Sequence, residues 1–167
     1  MKKILKFSGF TLIELIIVIA VIALLAAATF VAINPAKRVG DANNSRRWSD
    51  ITAIADAYNA YLADNSGTAP TSTTAGVTYS ITTTTWSGVA FTTCQAVANG
   101  NPTTTTAYVQ LSALVTGGYM GQIPLDPSYV ASSDLLNTGY YFYRESSGKL
   151  VVGACDSYNN QNIEVVR

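Results

Sequence analysis

The chain changes its hydrophobic period sharply along its length. Residues 10–33 form an unbroken apolar run of 24 positions, interrupted only by Thr11, Glu14 and Thr29. About 20 apolar residues wound as a helix cross the hydrocarbon core of a bilayer, so this run predicts a membrane-spanning helix. Beyond it the pattern becomes amphipathic. Trp48, Ile51, Ala55, Tyr58 and Leu62 recur at alternating spacings of three and four, and Ile54 and Tyr61 widen the stripe. That is one apolar face of a helix, suited to lie against a sheet, with Asp50, Asp56 and Asp64 outside the main stripe. Asn65-Ser66-Gly67 supplies the stop signal. Between the two patterns stands Asn34-Pro35. Two readings are open there: a kink, because proline removes a hydrogen bond and clashes with the preceding turn, or a fresh start with Asn34 as N-cap and Pro35 in the first turn. If continuous, the helix from Phe10 to Ala63 is about 80 Å long at about 1.5 Å per residue.

Residues 66–107 are rich in threonine and serine, with runs at 71–74, 82–85 and 103–106. Threonine suits solvated strands, and Val77–Ile81 with Val89–Thr93 reads as a hairpin or a decorated loop. Tyr108–Val115 reads as a short helix with Leu111 and Leu114 inward, stopped by Gly117-Gly118. Ile123-Pro124-Leu125-Asp126-Pro127 turns the chain. Tyr140–Arg144 and Lys149–Ala154 flank the turn Ser146-Ser147-Gly148, and Ile163–Val166 makes a last strand. Alternation places two rings of Tyr140–Tyr143 on the helix and leaves two for solvent or a neighbour. The fold class is α+β: a long N-terminal helix on a small antiparallel sheet.

Three lysines, Lys2, Lys3 and Lys6, precede the apolar run and keep its start on the cytoplasmic side. A secretory signal is cut after its apolar stretch. Here the sequence Gly9-Phe10-Thr11-Leu12-Ile13-Glu14-Leu15 puts the cut before it, after Gly9. This heptad resembles the class III leader of the type IV pilin-like family, the pilins and the pseudopilins of type II secretion. The resemblance covers roughly the first 30 residues. It implies cleavage after Gly9 by a membrane-embedded prepilin peptidase and N-methylation of Phe10. It also implies extraction from the inner membrane into a filament by an assembly platform with its ATPase. A carboxylate in a membrane helix costs about 2.5–3.5 kcal/mol at mid-bilayer. Glu14 can neutralise the amine freed at Phe10, from a neighbouring subunit or from the same chain, and so set register between subunits. Phe10, Thr11 and Glu14 are therefore the expected assembly residues, with the Leu12–Leu25 surface. The alternative is a plain signal anchor.

Loss of residues 1–9 removes three of the ten basic residues and leaves the ten acidic ones, a net charge of −3. That argues against nucleic acid as a partner. Lys37, Arg38, Arg46 and Arg47 form a basic patch beyond the apolar run, expected to meet lipid or neighbouring subunits, or simply to be solvated. There is no histidine, which with two cysteines leaves no zinc spacing and no Ser–His or Cys–His arrangement, so no enzyme is expected. Cys94 and Cys155 are an even pair, and in an exported domain they are expected to form a disulfide; many pilins close a C-terminal loop this way. Two buried free thiols are the alternative. The Pro124-to-Pro127 step resembles that of many pseudopilins and simple pilins. Asp126 and Asp134 are calcium candidates by that resemblance, but oxygen ligands are sparse, and a turn-capping role is the preferred reading of Asp126.

The expected organisation is a leader (1–9), a transmembrane and filament-core helix (10–33), an amphipathic extension (34–64) and an extracytoplasmic β-rich head (65–167). The expected partners are copies of the chain and other pilin-like subunits. The Thr-rich region and the disulfide favour a surface pilus, and the Pro-x-Asp-Pro step favours a secretion pseudopilus. A monomeric membrane-anchored binding module is the rival of another class.

Overall fold

The computed structural model describes residues 9–83, 107–128 and 137–167. The chain divides into two compact units, Met1–Val39 and Gly40–Arg167.

In the first unit, helix α1 (Leu12–Ile33) buries none of its side chains. At about 1.5 Å per residue its 22 residues extend roughly 33 Å, enough to cross a bilayer core. Asn34 ends it in the left-handed region (φ 44°, ψ 76°), and helix α2 (Pro35–Asp64) begins at the next residue. Asn34 also caps that new start: its side-chain Oδ1 accepts the Lys37 N–H at 3.3 Å. Both readings of Asn34-Pro35 thus contribute, since the helical run from Leu12 to Asp64 is long but is broken and restarted at this one residue. Asparagine is among the few residues that adopt this conformation readily.

In the second unit a five-stranded sheet runs in the order β2-β1-β3-β4-β5. The strands are β1 (Thr78–Thr82), β2 (Tyr108–Gln110), β3 (Asn137–Arg144), β4 (Leu150–Ala154) and β5 (Glu164–Val166). Pairing is antiparallel except between β1 and β2. The β3–β4 hairpin closes where the turn signal stands, with Gly148 N–H donating to Glu145 C=O and Gly148 at φ +91°. The α2 stop signal also acts as expected: Ser66 and Gly67 take positive φ, and Gly67 N–H donates back to Leu62 C=O at 2.7 Å.

The core lies between α2 and the sheet. Ile51, Ile54, Ala55 and Tyr58 are buried against Tyr140, Phe142, Val152 and Ala154. The Tyr58 and Phe142 rings meet edge-to-face at 5.1 Å, a favoured aromatic geometry. Leu111 and Leu114 point inward as expected and are fully buried.

Three expectations need correction. Tyr108–Val115 is not one helix: Tyr108–Gln110 is a strand in parallel register with Ser80–Thr82, and only Ser112–Thr116 is helical (α3). The β-prone Tyr-Val pair is taken up by a tertiary partner that local periodicity does not reveal. Trp48 does not join the stripe and is 43% exposed. Of the four aromatics, Tyr140 and Phe142 do face the helix, but Tyr141 is also completely buried. Its ring lies over Gly153, its register partner on β4, where an added Cβ would come within 2.4 Å, and its hydroxyl donates to Glu164 at 3.2 Å. Strand β1 lies between β2 and β3, so its neighbours are those strands, while Val89–Thr93 falls outside the described residues.

Candidate functional site

The start of α1 is built from Thr11 and Glu14. Thr11 is the N-cap, extended at φ −83° and ψ 154°. Its N–H and its hydroxyl both donate to Glu14 Oε2, at 2.9 and 2.8 Å, and Glu14 N–H donates back to Thr11 Oγ1 at 3.3 Å. This is a capping box, in which each residue satisfies a donor the helix start leaves open. Its signal in the sequence is Thr-x-x-Glu ahead of an apolar run, a pattern on which the expected assembly role of the two residues does not draw. Such a cap contributes about 0.5–2 kcal/mol. It matters more in hydrocarbon, where an open N–H has no water to turn to. The other polar break in the run is also satisfied internally: Thr29 Oγ1 donates to the carbonyls of Leu25 and Ala26, at 3.1 and 2.9 Å.

Hydrogen bonds orient the Glu14 carboxylate without cancelling its charge. Both side-chain bonds end on Oε2, so among the described residues Oε1 is left open. No lysine or arginine occurs from residue 7 to residue 36. Gly9 and Phe10 precede the helix and are exposed, Phe10 at 91%. The structure therefore brings Gly9, Phe10, Thr11 and Glu14 together at one exposed helix end, next to the exposed apolar side chains of α1.

Residues 4–30 match a family model described as the prokaryotic N-terminal methylation motif. The chain carries that methylation motif. It is the class III leader typical of type IV pilins and pseudopilins. The match takes in Lys6, the capping box and most of α1, and leaves the second unit unassigned. Neither the curated proteins nor the solved structures contain a match to the chain.

The other candidate residues lie in the second unit. Asp126 is fully buried and salt-bridged to Arg47, which is 2% exposed. Arg47 Nε donates to Oδ2 and Nη2 to Oδ1 at 2.9 Å, a bidentate fork, while Nη2 also reaches Ser128 Oγ and Nη1 reaches Asn44 Oδ1. Burial works against the Arg47 charge, but the Asp126 carboxylate outweighs it and holds the pKa above the ordinary value. Arg47 therefore leaves the solvated basic patch. The preferred reading of Asp126 stands in part, since its Oδ1 also accepts Ser128 N–H at 2.8 Å across the turn. As a calcium ligand it would first have to give up the guanidinium. Asp134 and Cys94 lie outside the described residues, and no cluster of three His, Cys, Asp or Glu side chains occurs among those described. Cys155, directly after β4, is buried and is not a free thiol. Asp50, read as lying off the stripe, accepts the Tyr140 hydroxyl at 2.7 Å; burial and this carboxylate both drive the Tyr140 pKa upward.

Arg47→Met should lower head stability by about 3–5 kcal/mol, because it strands a buried carboxylate. Chelation with EDTA should leave the thermal midpoint unchanged. Thermal unfolding of wild type and variant, each with and without EDTA, measures both effects.

Proposed function

We propose that the chain is a structural subunit of a type IV pilus-like filament. It is held in the inner membrane by α1, cut after Gly9 by a prepilin peptidase, methylated on Phe10, and assembled through its N-terminal helix. One observation carries this reading: an exposed apolar helix that starts in a capping box whose carboxylate is oriented but not neutralised. Cleavage creates a positive amine at Phe10, one turn from Glu14, in a stretch that has no other cation. In a bundle of such helices, an amine and a carboxylate from adjacent copies neutralise each other and set the axial register. Partners on this reading are further copies, other pilin-like subunits, the peptidase, the assembly platform with its ATPase, and lipid before assembly. Residues 1–9 are then leader, 10–33 filament core, 34–64 extension and 65–167 the extracytoplasmic head, displayed at the cell surface. The turn Pro124-Leu125-Asp126-Pro127 favours a second reading, a pseudopilin of type II secretion, with the same chemistry at residues 9–14. We also propose that Cys94 and Cys155 pair, supported by the burial of Cys155 in the head and the absence of any other cysteine.

Mass spectrometry of the assembled protein should find Phe10 as a methylated N-terminus. Intact residues 1–9 on such material would overturn the processing claim. Non-reducing peptide mapping should recover one Cys94–Cys155 cross-link, and two alkylatable thiols in native protein would refute it. Glu14→Leu should insert normally and keep its head folded, yet form few or no filaments by electron microscopy at an unchanged subunit level. Wild-type filament numbers in that variant would overturn the role given to Glu14 in setting register, whereas an absence of filaments from the wild-type chain would favour the monomeric anchored module.

A further inference from the structure

The face that α2 turns toward the rest of the second unit has two chemically different halves. Ile51, Ile54, Ala55 and Tyr58 belong to the apolar core. One, two and three turns earlier the same stripe continues through Arg47, Asn44 and Gly40, all buried, none of them part of that core. Gly40 and Asn44 meet the loop around Tyr158. A Cβ on Gly40 would lie 2.3 Å from the Tyr158 ring, so the ring occupies the place of a side chain. Asn44 uses its whole amide: Nδ2 donates to Tyr158 C=O at 3.0 Å and to Gln161 Oε1 at 2.8 Å, while Oδ1 accepts Tyr158 N–H at 2.9 Å and Arg47 Nη1 at 2.8 Å. The loop is shaped on its own terms by Asn159 and Asn160 at positive φ and by Ser157 Oγ donating to Gln161 C=O at 2.5 Å.

Apolar burial is shared among many neighbours and is lost only when the core opens. A set of neutral hydrogen bonds is different, because water replaces each one at a net cost of about 0.5–1.5 kcal/mol. The three that join Asn44 to the loop, two to the Tyr158 backbone and one to Gln161, all cross the same contact, so they break together. Arg47–Asp126 behaves in the opposite way: separating a buried ion pair is costly, and it lies at the end of the polar half nearest the core. Proteins open locally in cooperative units well below their global stability.

We propose that Gly40–Arg46 and the loop 156–161 form a latch that opens as one unit while the apolar core stays closed, with the Arg47–Asp126 pair as its stop. Opening frees seven residues of α2 from the loop, and with that contact gone the segment loses the packing that holds it helical. The proposal concerns the head alone and holds whether or not the chain assembles into filaments.

Hydrogen exchange followed by mass spectrometry on the full chain in detergent micelles tests it. A short helical segment released into water is marginal and exchanges freely. After correction for intrinsic rates, amides of 41–46 and 157–161 should exchange at matched rates, at least tenfold faster than those of 51–58. Asn44→Ala should accelerate both latch segments together by tenfold or more and leave 51–58 and 140–154 within twofold of wild type. Latch and core exchanging at one rate in wild type overturns the proposal. So does acceleration of only one latch segment, or of the core with it. Should Asn44→Ala fail to fold, the wild-type comparison decides alone.

Discussion

The head is arranged around the stripe of α2 from Ile51 to Tyr58, since every strand sends a side chain to the cluster it nucleates: Ile81 from β1, Val109 from β2, Phe142 from β3, Val152 from β4 and Val165 from β5. Each large side chain removed from water there contributes about 1.5–3 kcal/mol, while each hydrogen bond between strands contributes a smaller net amount, about 0.5–1.5 kcal/mol. The helix therefore does more than cover the sheet. It is the surface that decides which face of every strand is the inner one, and a one-residue slip in any strand would turn its apolar side chains away from it.

The first unit obeys the opposite rule. Among the described residues α1 has no buried side chain, and an exposed apolar surface of that length suits a lipid phase. In that phase, open backbone groups at its start would be expensive. The capping box removes that cost with Thr11 and Glu14 alone. The negative charge remains, and it is the one feature of the segment that distinguishes a lipid surrounding from one containing a cation.

Much of this was legible in the sequence because it depends on local chemistry. The apolar run, the stop at Ser66-Gly67, the Ser-Ser-Gly hairpin turn and the two inward rings of β3 all follow from short-range rules. What escaped depends on distant partners. Arg47 reads as surface charge until Asp126, 79 positions away, is known to meet it. Yet a trace was there: positions 40, 44, 47, 51 and 54 keep the helical spacing of the stripe, and only their polarity hid it. Tyr108–Gln110 fits a helix or a strand equally well, and its pairing with β1 crosses a long connection. Thr11 and Glu14 were recognised as important, and the sequence also contained the capping pattern that positions them.

Besides Gly117, which packs on nearby Tyr119, two glycines of the second unit owe their place to a tyrosine seated where a side chain would be: Gly153 beneath Tyr141 and Gly40 beneath Tyr158. Neither site can be enlarged by itself without displacing a ring from a close-packed contact. In evolutionary terms each is a locked pair. Drift at 153 or at 40 is blocked while the ring stands, and a chain that has lost the ring is released from the need for glycine. The order of change is thereby constrained, with the tyrosine replaced first and the glycine second, although the two positions of each pair are far apart in the sequence.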